Sequence, residues 1–148
     1  MKNLLKMSVY FISGIDTDAG KSIATGVIAA TLQNQGRKVI TQKFIQTGCR
    51  EISEDIQKHR EIMGIPLQEV DLDRTTCPYI MSYPASPHLA AEIDGITVDK
   101  DLIHHATEKL SRQYDIVLLE GAGGLYVPVN RHYLTIDYIS EYGYPLIL

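Results

Sequence analysis

The apolar positions of this 148-residue chain fall into two kinds of run that take turns along it. Short continuous runs sit at residues 8–13 (SVYFIS), 38–44, 115–124 (DIVLLEGAGG) and 145–148 (PLIL), the first rich in β-branched and aromatic residues without strict alternation. A strand that is apolar on both sides is covered on both sides, as strands of parallel sheets are. Between these runs the apolar residues recur at helical spacing. Residues 21–35 place Ile23, Val27, Ala30 and Thr31 along one stripe and end before Gly36, the position of a left-handed helix stop. Helices are also expected at 55–63, ended by Gly64 and Pro66, at 86–93 with Ser86 as N-cap and Pro87 in the first helical position, at 99–113 and at 133–142. Residues 45–54 read as loop, and 64–85 show no clear period.

Strands that alternate with helices predict a mostly parallel sheet with helices on both faces, a three-layer α/β/α domain. No repeat, low-complexity tract or linker interrupts residues 1–148, so a single domain is expected. A buried strand at 145–148 with nothing after it predicts a domain lacking its C-terminal part.

Composition narrows the partners. A formal charge of −4 and a pI near 5.7 give no basic face for a phosphate backbone, so small molecules and no nucleic acid are expected. The N-terminal apolar stretch behind Lys2 and Lys6 stops at Ser13-Gly14, too short for a secretory signal or a bilayer span, and no membrane association is expected. Cys49 and Cys77 stand far apart with no CxxC, which fits reduced thiols in a cytoplasmic protein.

The chemistry begins at GIDTDAGKS, Gly14 to Ser22, between the first strand and the first helix. Glycines there allow left-handed backbone and let main-chain N–H groups close around an anion at a positive helix end. Lys21 adds a full charge for terminal phosphates, and the Ser22 hydroxyl suits Mg²⁺. This is a P-loop with five residues, where four are usual, between Gly14 and Gly20. Asp16 and Asp18 would repel a triphosphate and are expected to turn away, one of them bonding the loop locally. Glu120 ends its strand where open α/β sheets bind ligands, and can hold a hard cation.

Taken in order, GIDTDAGKS, KFIQTG (43–48), SPH (86–88) and EGAGG (120–124) resemble the dethiobiotin synthetases, P-loop enzymes of biotin biosynthesis, over residues 8–148. The resemblance implies an ATP-dependent cyclo-ligase that closes the ureido ring of 7,8-diaminopelargonic acid with CO₂ and MgATP, working as a homodimer. It implies that Asp18, Ala19, Gly20, Lys21, Ser22 and Ile23 wrap the phosphates, that Lys43, Lys21 and Thr17 are catalytic, and that Thr47 meets the diamine. Ser22, Asp55 and Glu120 would hold Mg²⁺, with Asp55 and Glu120 also contacting ATP, and Gly121, Ala122 and Gly123 would let nucleotide approach the backbone. Phe44 stands where that family usually has proline, a difference expected to touch loop rigidity more than chemistry.

Two other readings stay open. A regulatory ATPase of the MinD or ParA type would carry a further lysine early in the loop, where Ile15 and Asp16 stand. An inactive nucleotide-binding fragment is the second. His104-His105 are not expected to bind metal, because neighbours on a helix diverge by about 100°. His88 could meet an anion at a helix start or serve packing and capping. The late tyrosines (126, 133, 138, 142, 144) could fill a subunit interface or the core. The charged run HREIMGIPLQEVDLDR (59–74) is expected to be a solvated helix and loop with no role.

Overall fold

The computed structural model describes residues 8–17 and 20–148. Four strands form one parallel sheet in the order β2-β5-β1-β8, with β1 at Ser8–Gly14, β2 at Val39–Lys43, β5 at Ile116–Gly124 and β8 at Leu146–Ile147. The middle strands are the apolar runs of the sequence. Alternate residues divide between the two faces: Phe11 and Leu119 share one core cluster, Ile12 and Leu118 another.

Helices cover both faces, which makes the three layers expected from the pattern. On one face lie α1 (Lys21–Asn34) and α2 (Glu54–Met63); on the other are α5 (Lys100–Ser111) and α6 (Thr135–Tyr142), whose Ile103 and Tyr138 pack with Phe11 and Phe44. A short helix α3 (Glu69–Leu72), a small parallel pair β3 (Gln46–Thr47) with β4 (Ile80–Met81), α4 (Pro87–Asp94) and a β6–β7 hairpin (Pro128–Asn130, Tyr133–Leu134) complete the described chain. Of these, α4 is the helix expected at 86–93, while α3, the β3–β4 pair and the β6–β7 hairpin lie in segments whose period is too short to read. Among the described residues, no helix is long and apolar enough to cross a membrane.

Three expectations need correction. The stripe Ile23, Val27, Ala30, Thr31 is not the inner side of α1, for Ile23 and Val27 stay half exposed while Thr25, Gly26 and Ala29 are buried. Gly26 explains the choice: a Cβ there would stand 2.8 Å from Ile62 Cδ1, so glycine lets α1 lie close against α2. Ser86 precedes α4 as expected, but its side chain makes no capping bond; Oγ pairs with His88 Nδ1 at 3.1 Å. The run 59–74 is solvated only on one side. Arg60 is buried and clamped by Asp71 through Nε–Oδ2 at 2.8 Å and Nη2–Oδ1 at 2.7 Å, and His59, Met63 and Val70 are buried with them. Charge in a linear sequence reads as exposure, whereas here two charges lie opposite one another and satisfy each other inside.

Of the late tyrosines, Tyr138 is fully buried in the core, Tyr133, Tyr142 and Tyr144 pack against it partly buried, and Tyr126 is exposed. Phe44 is fully buried, edge-on to Phe11 at 5.7 Å between centroids and tilted on Tyr138 at 4.7 Å, so its part is packing and not loop flexibility. His104 stacks on Tyr142 at 3.9 Å and its Nδ1 meets the Tyr144 hydroxyl at 2.8 Å, which places the ring in an aromatic cluster.

Candidate active site

The carboxyl ends of β1, β2 and β5 meet at one edge of the sheet, and register sets what stands there. Lys43, the last residue of β2, is directly paired with Glu120 of β5, and Ile12 of β1 flanks the same glutamate. From this edge the chain after β1 turns through the loop 14–20 into α1. Gly20 has φ +83, a left-handed conformation that glycine adopts without strain, and its position starts α1 toward the cavity.

A cavity of about 730 Å³ opens here. The loop and α1 line it with Thr17, Gly20, Lys21, Ser22 and Ile23; β2 and β3 add Lys43 and Thr47; α2 adds Asp55; β5 and its end add Glu120, Ala122 and Gly123. The start of α4, Ser86 and Pro87, forms part of the wall, while His88 stands outside it. Asp18 and Ala19 lie outside the described residues. Gly121 is not part of the lining, and its lack of a side chain answers to packing: a Cβ would stand 2.9 Å from the Phe11 ring. The Gly121 carbonyl still faces the site, accepting from Lys43 Nζ at 3.0 Å.

The polar groups converge. Ser22 Oγ lies 2.9 Å from both Asp55 Oδ1 and Glu120 Oε1. Lys43 Nζ lies 2.5 Å from Asp55 Oδ2, 3.1 Å from Glu120 Oε1, and donates to the Gly121 carbonyl at 3.0 Å. Lys21 Nζ donates to the Asp16 carbonyl at 2.6 Å, folded back on the loop. Asp16 itself is exposed and accepts from the Thr17 N–H at 2.7 Å, so it turns to the local backbone as expected.

Burial and charge shift these groups in opposite directions. Burial pushes the Glu120 carboxyl up, but the His59 hydrogen bond, the Lys43 charge and the Ser22 hydroxyl outweigh it and hold the group down at about 2. Burial pulls the Lys43 ammonium down, and the charges of Glu120 and Asp55 more than reverse this, so it is raised. Lys21 is lowered by burial and then by Lys43, against the pull of the acids. Two cations and two carboxylates thus form a balanced set.

The local fold delivers these residues. Ser53 caps α2, accepting from the Ile56 N–H at 3.2 Å and donating to Gln46 Oε1 at 2.6 Å, which ties the first turn of α2 to β3. Asp55 then sits in a helical first turn, where a carboxylate is favoured by the helix dipole. Sequence reasoning missed His59, fully buried on the next turn of α2, with Nε2 2.6 Å from Glu120 Oε2 and Nδ1 2.9 Å from Thr41 Oγ1. Its signal was the four-residue spacing from Asp55, which puts both on one helix face.

Three oxygens, the Ser22 hydroxyl and one oxygen each from Asp55 and Glu120, form a hard donor set within reach of one small cation, so the residues present fit a magnesium ion.

A family model described as an AAA domain matches residues 8–148. Among curated relatives, the ATP-dependent dethiobiotin synthetase BioD 2 of Pasteurella multocida is 55% identical over 140 residues, covering 95% of this chain and 66% of its own. BioD 2 of Haemophilus influenzae is 55% identical over 95% of this chain and 73% of its own, and BioD of Chlorobaculum tepidum 50% identical over 99% and 62%. The chain spans about two thirds of the length of the curated relatives it matches. With the loop, the paired lysine and glutamate and the likeness over nearly the whole chain in agreement, this chain belongs to the AAA-domain family and, within it, to the ATP-dependent dethiobiotin synthetases.

Proposed function

We propose that this chain holds the phosphate and carbamate half of a dethiobiotin synthetase site, closing the ureido ring of 7,8-diaminopelargonic acid with CO₂ and ATP. The observation that carries the reading is the convergence of Lys43, Asp55, Glu120 and Ser22 at the mouth of the loop. In this reaction one amine adds CO₂ and loses a proton to become a carbamate. A carbamate oxygen attacks the γ-phosphorus of ATP and ADP leaves; the second amine then attacks the carbonyl, expels phosphate and closes the ring.

Negative charge gathers at every step, and fixed positive groups in a water-poor cleft act where it gathers. Lys21 releases the Asp16 carbonyl and turns to the β- and γ-phosphates. Lys43 neutralises carbamate and γ-phosphate oxygens together, and Thr17 and Thr47 orient phosphate and diamine. Gly20, Ser22 and Ile23, with Asp18 and Ala19, wrap the phosphates at the start of α1, while Ala122 and Gly123 wall the cleft. Ser22, Asp55 and Glu120 would hold Mg²⁺, which when bound polarises the γ-phosphoryl oxygens. The resemblance also implies a cytoplasmic homodimer, which light scattering on the purified chain tests.

Incubation with the diamine, bicarbonate and MgATP, followed by mass spectrometry, gives the ureido product, and Lys43→Ala removes it. Hydrolysis of ATP at the same rate with and without the diamine would favour a regulatory ATPase instead.

A further inference from the structure

His59 touches the site from behind. It is fully buried in α2 and is not part of the cavity wall, yet it holds one oxygen of the glutamate that faces the cavity. The two oxygens of Glu120 are divided between environments. Oε1 looks into the site, 2.9 Å from Ser22 Oγ and 3.1 Å from Lys43 Nζ. Oε2 lies 2.6 Å from His59 Nε2.

The imidazole is itself fixed. Thr41 Oγ1 accepts from Arg60 Nη1 at 2.7 Å, so its own proton is free to go to His59 Nδ1, 2.9 Å away, which leaves Nε2–H to donate to Glu120. Arg60 cannot shift, because Asp71 grips it with both oxygens, and Asp71 is held in turn by the Gln68 N–H and the Thr76 hydroxyl, each at 2.7 Å. A continuous chain from α3 through β2 and α2 therefore ends on a single carboxylate oxygen.

We propose that His59 is a positioning residue that keeps Glu120 monodentate and thereby sets which divalent cation the site accepts. Mg²⁺ wants near-octahedral ligands at about 2.0–2.1 Å and tolerates little crowding, whereas Ca²⁺ takes six to eight oxygens at roughly 2.3–2.6 Å and readily accepts both oxygens of one carboxylate. With Oε2 engaged by the imidazole, only Oε1 is on offer, which suits the smaller ion. Release of Oε2 gives the carboxylate a second contact and favours the larger one. This inference rests on the metal-nucleotide reading above.

The test is calorimetric titration of Mg²⁺ and, separately, Ca²⁺ into the protein saturated with the non-hydrolysable analogue adenylyl imidodiphosphate, corrected for binding to free analogue. Wild type binds Mg²⁺ more tightly than Ca²⁺, and His59→Leu shrinks that ratio about tenfold, the size of effect that partners behind metal ligands have. His59→Gln, whose amide N–H replaces the Nε2–H, restores most of the ratio; Thr41→Val, which frees Nδ1, shrinks it by a smaller factor and serves if His59→Leu does not fold. A ratio unmoved in His59→Leu, or in Thr41→Val where that variant stands in, overturns the proposal, as does a His59→Gln that behaves like leucine or a wild type that prefers Ca²⁺. A wild type that binds neither ion nor analogue overturns the nucleotide reading instead.

Discussion

Glu120 is buried and still ionised, and that condition has a measurable pH signature. Its carboxyl is held at about 2, below the ordinary 4.5, so the stability it contributes is complete above about 4.5 and is lost as pH falls toward 2. The loss in the protein free of nucleotide and cation is on the order of 3 kcal/mol. Urea melts at pH 7, 4 and 3 check it: wild type weakens more steeply over this range than Glu120→Gln, and parallel curves would refute the assignment. Ser22, at a helix start, and Glu120, where the apolar run of β5 gives way to glycines, were legible from the residues, whereas Lys43 and Asp55 were reached only through the family resemblance. His59 was missed because its one signal, the four-residue spacing from Asp55, sits in a run of charged residues that reads as solvent-facing. Arg60 escaped for a related reason: its partner Asp71 lies eleven residues on, past a glycine and a proline, and only the fold brings them together.

At the scale of elements, the supporting chain behind the site depends on α2 and α3 meeting over β2. Asp71→Ala removes the partner of a buried guanidinium and costs about 3–5 kcal/mol, read by chemical denaturation, while adding Arg60→Met recovers much of the loss because no buried charge is left unpaired. A double variant as weak as the single would show that the pair is not the cause. The small elements that sequence reading passed over, α3, the β3–β4 pair and the β6–β7 hairpin, are two to four residues long. Too few residues repeat there for either period to register, and long-range pairing decides their state. The long helices and the central strands, by contrast, were placed by the length of their runs and by their glycine and proline stops, although the buried side of α1 was misread.

At the scale of the described chain, the fold is a central four-stranded sheet with two clothed faces and the converging polar groups of the site at one edge. Phe44 ties the sheet to α6 through Phe11 and Tyr138, and Phe44→Ala should cost about 3–5 kcal/mol, read as a lowered urea midpoint. MgATP at about 100 times its dissociation constant stabilises a protein by about 2.7 kcal/mol, which for a chain of this size raises Tm by roughly 5–10 °C, and a thermal scan that showed no shift would count against the site. The close seat of Gly26 on Ile62 has a last consequence. Lys21 and Ser22 ride on one helix and Asp55 on the other, so this contact is the fulcrum of a pair of jaws whose gape is the Ser22–Asp55 span. A single added methyl at position 26 prises the jaws apart without touching either tip, and should weaken the grip on nucleotide from a point no ligand reaches.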